Sequence, residues 1–148
     1  MREPPARLCN LDRLLHAMAG RHLDGIVATS AQNLFYLTGF NAIAHKSDEP
    51  RPYAVVLSRH APEHPVAVVA DYYFATFLSR PGWVEDVRPF RAVMMPLDRP
   101  PAQADIDPFI PAAAGAATFA RARQRYAFDM GTALGGVLRD LGLERGRL

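Results

Sequence analysis

The sequence predicts an α/β domain of three layers, a mixed β-sheet with helices on both faces. Three observations predict it. Residues 53–57 and 66–70 are continuous apolar runs, the mark of strands buried on both sides. The linker between them is short, so the two pair as antiparallel neighbours. Amphipathic helical patterns lie before and after this strand pair along the chain.

Each element has its own signal. Residues 1–8 read as a flexible arm. Asn10 then caps a helix carrying Leu11, Leu14, Leu15, Met18 and Ala19 at i, i+3, i+4, i+7 and i+8, a core-facing stripe. Gly20 weakens its end, and Asp24-Gly25 turns the chain into a strand over 26–29. Ser30 suits an N-cap, because its hydroxyl can accept from a backbone N–H two or three residues on. Ala31, Leu34 and Leu37 then share one face of a two-turn helix. Gly39 stands where the helix end needs a left-handed residue, and Phe40 folds back over the last turn.

Residues 41–45 suit a short strand, and 46–52 are polar and broken by proline, as an exposed loop is. After the strand pair, Asp71 caps a helix through Tyr72, Phe74, Ala75, Phe77 and Leu78, which Pro81-Gly82 stops. Residues 84–87 and 89–93 are weaker strand candidates. Residues 96–117, rich in Pro and Ala, read as a surface excursion with a helical turn after Asp105. A long helix is expected over 118–142, through Phe119, Tyr126, Met130, Leu134, Val137, Leu138 and Leu141. Gly142 ends it, with Leu143 placed for the apolar contact that accompanies a glycine C-cap. The chain stops at Arg147-Leu148, where another strand would normally begin. The sequence is therefore expected to be one truncated piece of a longer protein.

Bulk composition narrows the function. At 148 residues the chain is one domain by size, and 49% hydrophobic with 22% charged residues is ordinary for a soluble globular protein. No apolar run reaches the ~20 residues of a spanning helix, and residues 1–7 lack the apolar core of a secretion signal. Cys9 stands alone, which excludes an internal disulfide and a thiolate metal cluster and suits a reducing cytoplasm. Net charge is +2. Basic residues are spread, except for Arg121, Arg123 and Arg125, which read as a solvated helix face. Nucleic acid is not an expected partner.

No self-contained active site emerges. His60-Ala61-Pro62-Glu63-His64 matches the H-x-x-E-H pattern of some zinc proteases, which needs both His on one face of a helix. Pro62 within the run costs a helix ~3 kcal/mol or more, and both flanks read as strand, so a polar turn is the expectation. His16 is a boundary residue among leucines, and His22 sits at a helix end where imidazole suits the carbonyls. Cys9 lacks the neighbours that activate a thiol. No phosphate-cradling glycine loop or G-x-S-x-G elbow occurs. No metal ligand or cofactor is assigned to this chain.

Ser30, Asn33, Tyr36 and Gly39 carry one more signal. Helix, short strand, then S-x-x-N-x-x-Y-L-T-G-F over 30–40 resembles the start of the N-terminal domain of the creatinase/prolidase/aminopeptidase P family. A strand, a turn and a short helix occur in any α/β protein; Asn33, Tyr36 and Gly39 in that order do not. The resemblance covers about residues 10–93, and more weakly 118–142. It implies a ribonuclease H-like three-layer fold and a catalytic domain elsewhere, approached through the long helix, where metal-dependent members hold divalent metal. It further implies a homodimer and a domain that shapes a substrate pocket without doing chemistry.

In creatinases an aromatic and an arginine precede the strand that follows this motif and close over substrate. Here Arg51 matches the arginine and Glu49 replaces the aromatic. The resemblance thus implies Arg51 as a substrate-binding residue acting in trans, with His45 lining the same mouth. It argues against creatine and leaves a small peptide or another small carboxylate as substrate. An exposed loop arginine and a loop histidine remain the plain alternatives. The parent reaction would be C–N bond hydrolysis. Rival readings are a non-catalytic binding module from a degenerate relative, and an unrelated α/β enzyme using Arg51 and His45.

Overall fold

The computed structural model of the chain describes residues 7–40, 53–79, 83–92 and 106–148. Every residue of strands β2 (Tyr53–Ser58) and β3 (Val66–Ala70) is buried. Valines recur in both, two in β2 and three in β3, as a pleated surface packed on two sides favours. The strands pair antiparallel, with Val55 opposite Ala67. β1 (Gly25–Ala28) adds antiparallel to β2, and β4 (Asp86–Phe90) adds parallel to β3. Among the described residues the sheet is four-stranded and mixed, in the order β1-β2-β3-β4. A parallel step needs a crossover, which helix α3 (Asp71–Ser79) supplies. The segments 84–87 and 89–93, expected as separate weak strands, contribute to one strand, β4. Pro89 is tolerated there because its carbonyl accepts from Ala127 N–H, so its nitrogen faces away from β3 and no bond to β3 is lost.

Alternation along the strands sends side chains to opposite faces. Tyr53, Val55, Ala67 and Val69 face a cluster with Leu34, Leu37, Phe40, Phe74 and Phe77. Ala54, Val56, Val66 and Val68 face a second cluster with Ala133, Val137 and Leu143. Helices α1 (Leu11–Gly20), α2 (Ala31–Thr38), α3 and α4 (Ala116–Arg125) serve the first face. Helix α5 (Met130–Asp140) serves the second. The expected three-layer α/β domain with a mixed sheet is the observed one.

One long helix over 118–142 is not observed. The chain breaks at 126–129 between α4 and α5. The reason is topological: α4 and α5 pack on opposite faces, so the chain must round the edge of β4. Ala127 bridges Phe90 there, with Arg91 N–H donating to the Ala127 carbonyl at 2.9 Å and Ala127 N–H to that of Pro89 at 3.1 Å. Asp129 then starts α5 afresh, its carboxylate accepting from Thr132 N–H at 2.7 Å. The apolar period runs across the break because each half separately faces the sheet.

The arm is tied down at Arg7, which pairs with Glu63 and lies 4.3 Å from the Trp83 ring centre. Residues 1–6 lie outside the described residues. So do 41–45, expected as a strand, and the expected stop at Pro81-Gly82. Just past the end of α1, His22 takes a left-handed conformation, φ 55°. Gly20 still belongs to the last helical turn, and Leu23 N–H closes on the Met18 carbonyl at 2.9 Å. A short 3-10 turn, Asp107–Phe109, stands where a turn after Asp105 was expected.

Gly39 takes φ +75° at the end of α2, and its N–H donates to the Phe35 carbonyl. No atom lies near an added Cβ, so the demand for glycine is one of backbone conformation alone. Gly39→Val is expected to destabilise the domain by ~1 kcal/mol or more, because a β-branched residue is disfavoured at that φ. Chemical denaturation checks this: an unchanged midpoint contradicts it.

Candidate functional site

The 30–40 motif builds from its caps. The Ser30 hydroxyl accepts from Asn33 N–H at 3.2 Å, which opens α2. Ala31, Leu34 and Leu37 are buried on its inner face. Thr38, fully buried, donates its hydroxyl to the Leu34 carbonyl at 2.7 Å and accepts from Phe40 N–H at 3.0 Å. That bond folds Phe40 back after Gly39, where it stacks on Phe77 with ring centres 4.2 Å apart. The Tyr36 hydroxyl crosses to α1 and accepts from Asn10 N–H at 2.9 Å. Ser30, Tyr36 and Gly39 thus lock strand, helix and exit loop into one geometry. The Asn33 side chain is exposed on the outer face of α2. Directly after Phe40 begins the segment that carries His45 and Arg51; both lie outside the described residues.

The H-x-x-E-H run sits in the turn between β2 and β3, not on a helix. His60 approaches Asp24 at 3.4 Å and Glu63 pairs with Arg7, so its members turn to different partners. Among the described residues no His, Cys, Asp and Glu side chains group as a metal site would require. Their carboxylates are engaged by donors instead: Asp71 by the Tyr126 hydroxyl at 2.7 Å, Asp129 by the start of α5, Asp107 by Arg123.

Beside β4 lies an open cavity of about 620 Å³. Phe74, Leu78 and Trp83 contribute apolar wall; Arg88, Arg121 and Arg125 contribute charge. Arg88 is buried and pairs with Asp86 and Asp140, while Arg125 also pairs with Asp86. Burial opposes the charge of Arg88, but the hydrogen bonds to Asp86 and Asp140 outweigh it and hold the guanidinium above its ordinary pKa. Arg88 and Arg125 are thus spent on joining α4, β4 and α5.

Sequence reasoning missed Arg88, the Asp71–Tyr126 bond and the engagement of Asp24. Arg88 had a signal: Val87-Arg88-Pro89-Phe90 puts an arginine within an apolar strand, where burial demands a counter-charge. Tyr126–Asp71 had none, because 55 positions separate the partners.

Residues 10–131 match the family model of the creatinase/prolidase N-terminal domain. No curated protein matches the chain. Among solved structures, an aminopeptidase P, an Xaa-Pro aminopeptidase from Streptococcus thermophilus, shares 16% identity at a TM-score of 0.36. The match covers 56% of this chain and 54% of that one, so the chain spans about half the length of that protein. A Creatine_N superfamily domain of a dipeptidase from Streptococcus thermophilus shares 16% identity at a TM-score of 0.43, covering 87% of this chain and 97% of that one.

Several carboxyls lie below the usual carboxylate range. The causes are hydrogen bonds from Arg147 N–H to Asp24, Arg7 to Glu63, Arg123 to Asp107 and Thr132 N–H to Asp129. A depressed folded pKa gives stability that is complete above the unfolded value and lost as pH falls through the folded one. The denaturation midpoint should therefore hold down to about pH 5 and fall below about pH 4. Asp129→Asn should flatten that acid slope; an identical pH profile for the variant contradicts the assignment.

Proposed function

The chain belongs to the creatinase/prolidase N-terminal domain family, and from that premise we propose that it is the accessory domain of a C–N hydrolase acting on a small peptide or small carboxylate. The match over residues 10–131 carries this reading. The domain contributes a wall of the substrate pocket and a dimer contact, and leaves bond cleavage to a catalytic domain elsewhere. Divalent metal, where the parent uses it, belongs to that other domain. Arg51 is the residue proposed to meet substrate, in the active site of a second copy, with His45 beside it. A guanidinium recognises a carboxylate by paired, charge-assisted hydrogen bonds, which fixes its position next to the attacking water. Pro52 disfavours a helical backbone at Arg51, which suits a side chain projected outward.

Arg51→Ala separates this reading from a plain loop arginine. In this chain the change should leave stability within ~0.5 kcal/mol, as at a surface site. In an active full-length parent it should lower kcat/KM by the equivalent of ~1.5–3 kcal/mol, the worth of a charged hydrogen bond. Wild-type kinetics on the true substrate would exclude the role.

Calorimetric titration of this chain with Mn, Co and Zn should give no stoichiometric tight binding. A saturable one-to-one site would move the metal chemistry into this domain and overturn its accessory role.

A further inference from the structure

The segment after α5 returns to the opposite end of the sequence. Leu143 is buried in the second core cluster, its N–H donating to the Leu138 carbonyl at 2.7 Å. Gly142, at φ +67°, turns the chain there. Residues 146–148 then come to rest on Asp24 and Gly25, at the entrance of β1.

Asp24 holds this junction through nearly every polar atom it has. Its N–H donates to the Arg147 carbonyl at 2.8 Å, and its carbonyl accepts from Arg59 N–H at 2.8 Å. Its Oδ2 accepts from Arg147 N–H at 3.0 Å. Its Oδ1 faces Arg59 Nη2 at 3.3 Å and His60 Nε2 at 3.4 Å. One aspartate thus joins the start of β1, the turn after β2 and the segment after α5. The glycines at the junction point independently to designed closeness. A Cβ on Gly25 would lie 2.7 Å from Leu143 Cδ1 and 3.0 Å from Leu148 Cδ2. A Cβ on Gly146 would lie 3.2 Å from that of Asp24 and 3.3 Å from the Leu143 carbonyl.

We propose that Asp24 is a latch that fixes the path of residues 143–148 against β1, its carboxylate adding to the backbone bonds and the burial of Leu143 that hold the same segment. Arg59 and His60 orient the carboxylate from one side while the Arg147 N–H takes its other oxygen. The adjoining Arg139–Glu144 pair lies on the α5 side of the same segment. If the segment leads to a catalytic domain, the latch sets the angle at which that domain is carried. This consequence rests on the proposed function; the latch does not.

The test uses the whole chain and reads the segment locally. In Asp24→Ala, hydrogen exchange at the Arg147 amide should quicken on the order of tenfold, and trypsin cleavage after Arg145 should quicken alike, while amides of β2 and β3 keep their rates. Asp24→Asn, which retains one acceptor oxygen, should fall between. Should Asp24→Ala fail to fold, Arg147→Pro removes the donor and leaves Asp24 in place. Faster exchange at the Asp24 amide and faster cleavage after Arg145 are then expected. Rates within twofold of wild type, or β2 and β3 amides quickening by the same factor, would overturn the latch. Either failure leaves the proposed function standing, since Arg51 and metal binding are measured separately.

Discussion

Burial of β2 and β3 on both faces is the constraint from which the other features follow. Their side chains alternate between two clusters, so each face needs its own cover. Among the described residues α1 to α4 serve one face and α5 serves the other. The chain must therefore change sides after α4, and it does so at the edge of β4. The Phe90–Ala127 bridge satisfies backbone groups at that crossing, and Asp129 restarts a helix immediately after it. A sheet packed on one face only would impose no such break.

Several polar groups inside this frame join elements through oppositely charged or hydrogen-bonding partners. Arg88 enters the interior from β4 and meets carboxylates from its own strand and from α5. Leaving one such charge without its partner would be far costlier than the pair is worth, so the members constrain one another. Asp71 begins α3 and accepts from Tyr126 at the crossing, which ties the crossover helix to the point where the chain changes faces. Asp24 does the equivalent at the far edge of the sheet. Both ends of the four-stranded sheet are thus fastened by a carboxylate that serves more than one element.

Local signals were legible in the sequence and long-range ones were not. Ser30, Gly39 and Asn10 declare helix ends through the chemistry of their own backbone neighbours, and each cap stands where the residue type placed it. The apolar runs at β2 and β3 likewise needed no tertiary information. The split of 118–142 was illegible because helical period survives when two helices share a register but not a face. Asp24 reads as a turn residue, since the sequence cannot reveal that Arg147, 123 positions away, returns to it. The proposed substrate contact rests on resemblance alone: Arg51 and His45 carry no local signal that distinguishes binding from exposure.

The motif that identifies the family is therefore a device for geometry. Tyr36 fixes α2 to the start of α1, Ser30 fixes its entry, and Gly39 with Thr38 fixes its exit. Phe40, seated on Phe77, anchors the last described residue before the segment bearing His45 and Arg51. Tyr53, the first described residue after that segment, is fully buried at the head of β2. The described residues on either side of 41–52 are thus both set in the core, Phe40 by the motif and Tyr53 by the sheet.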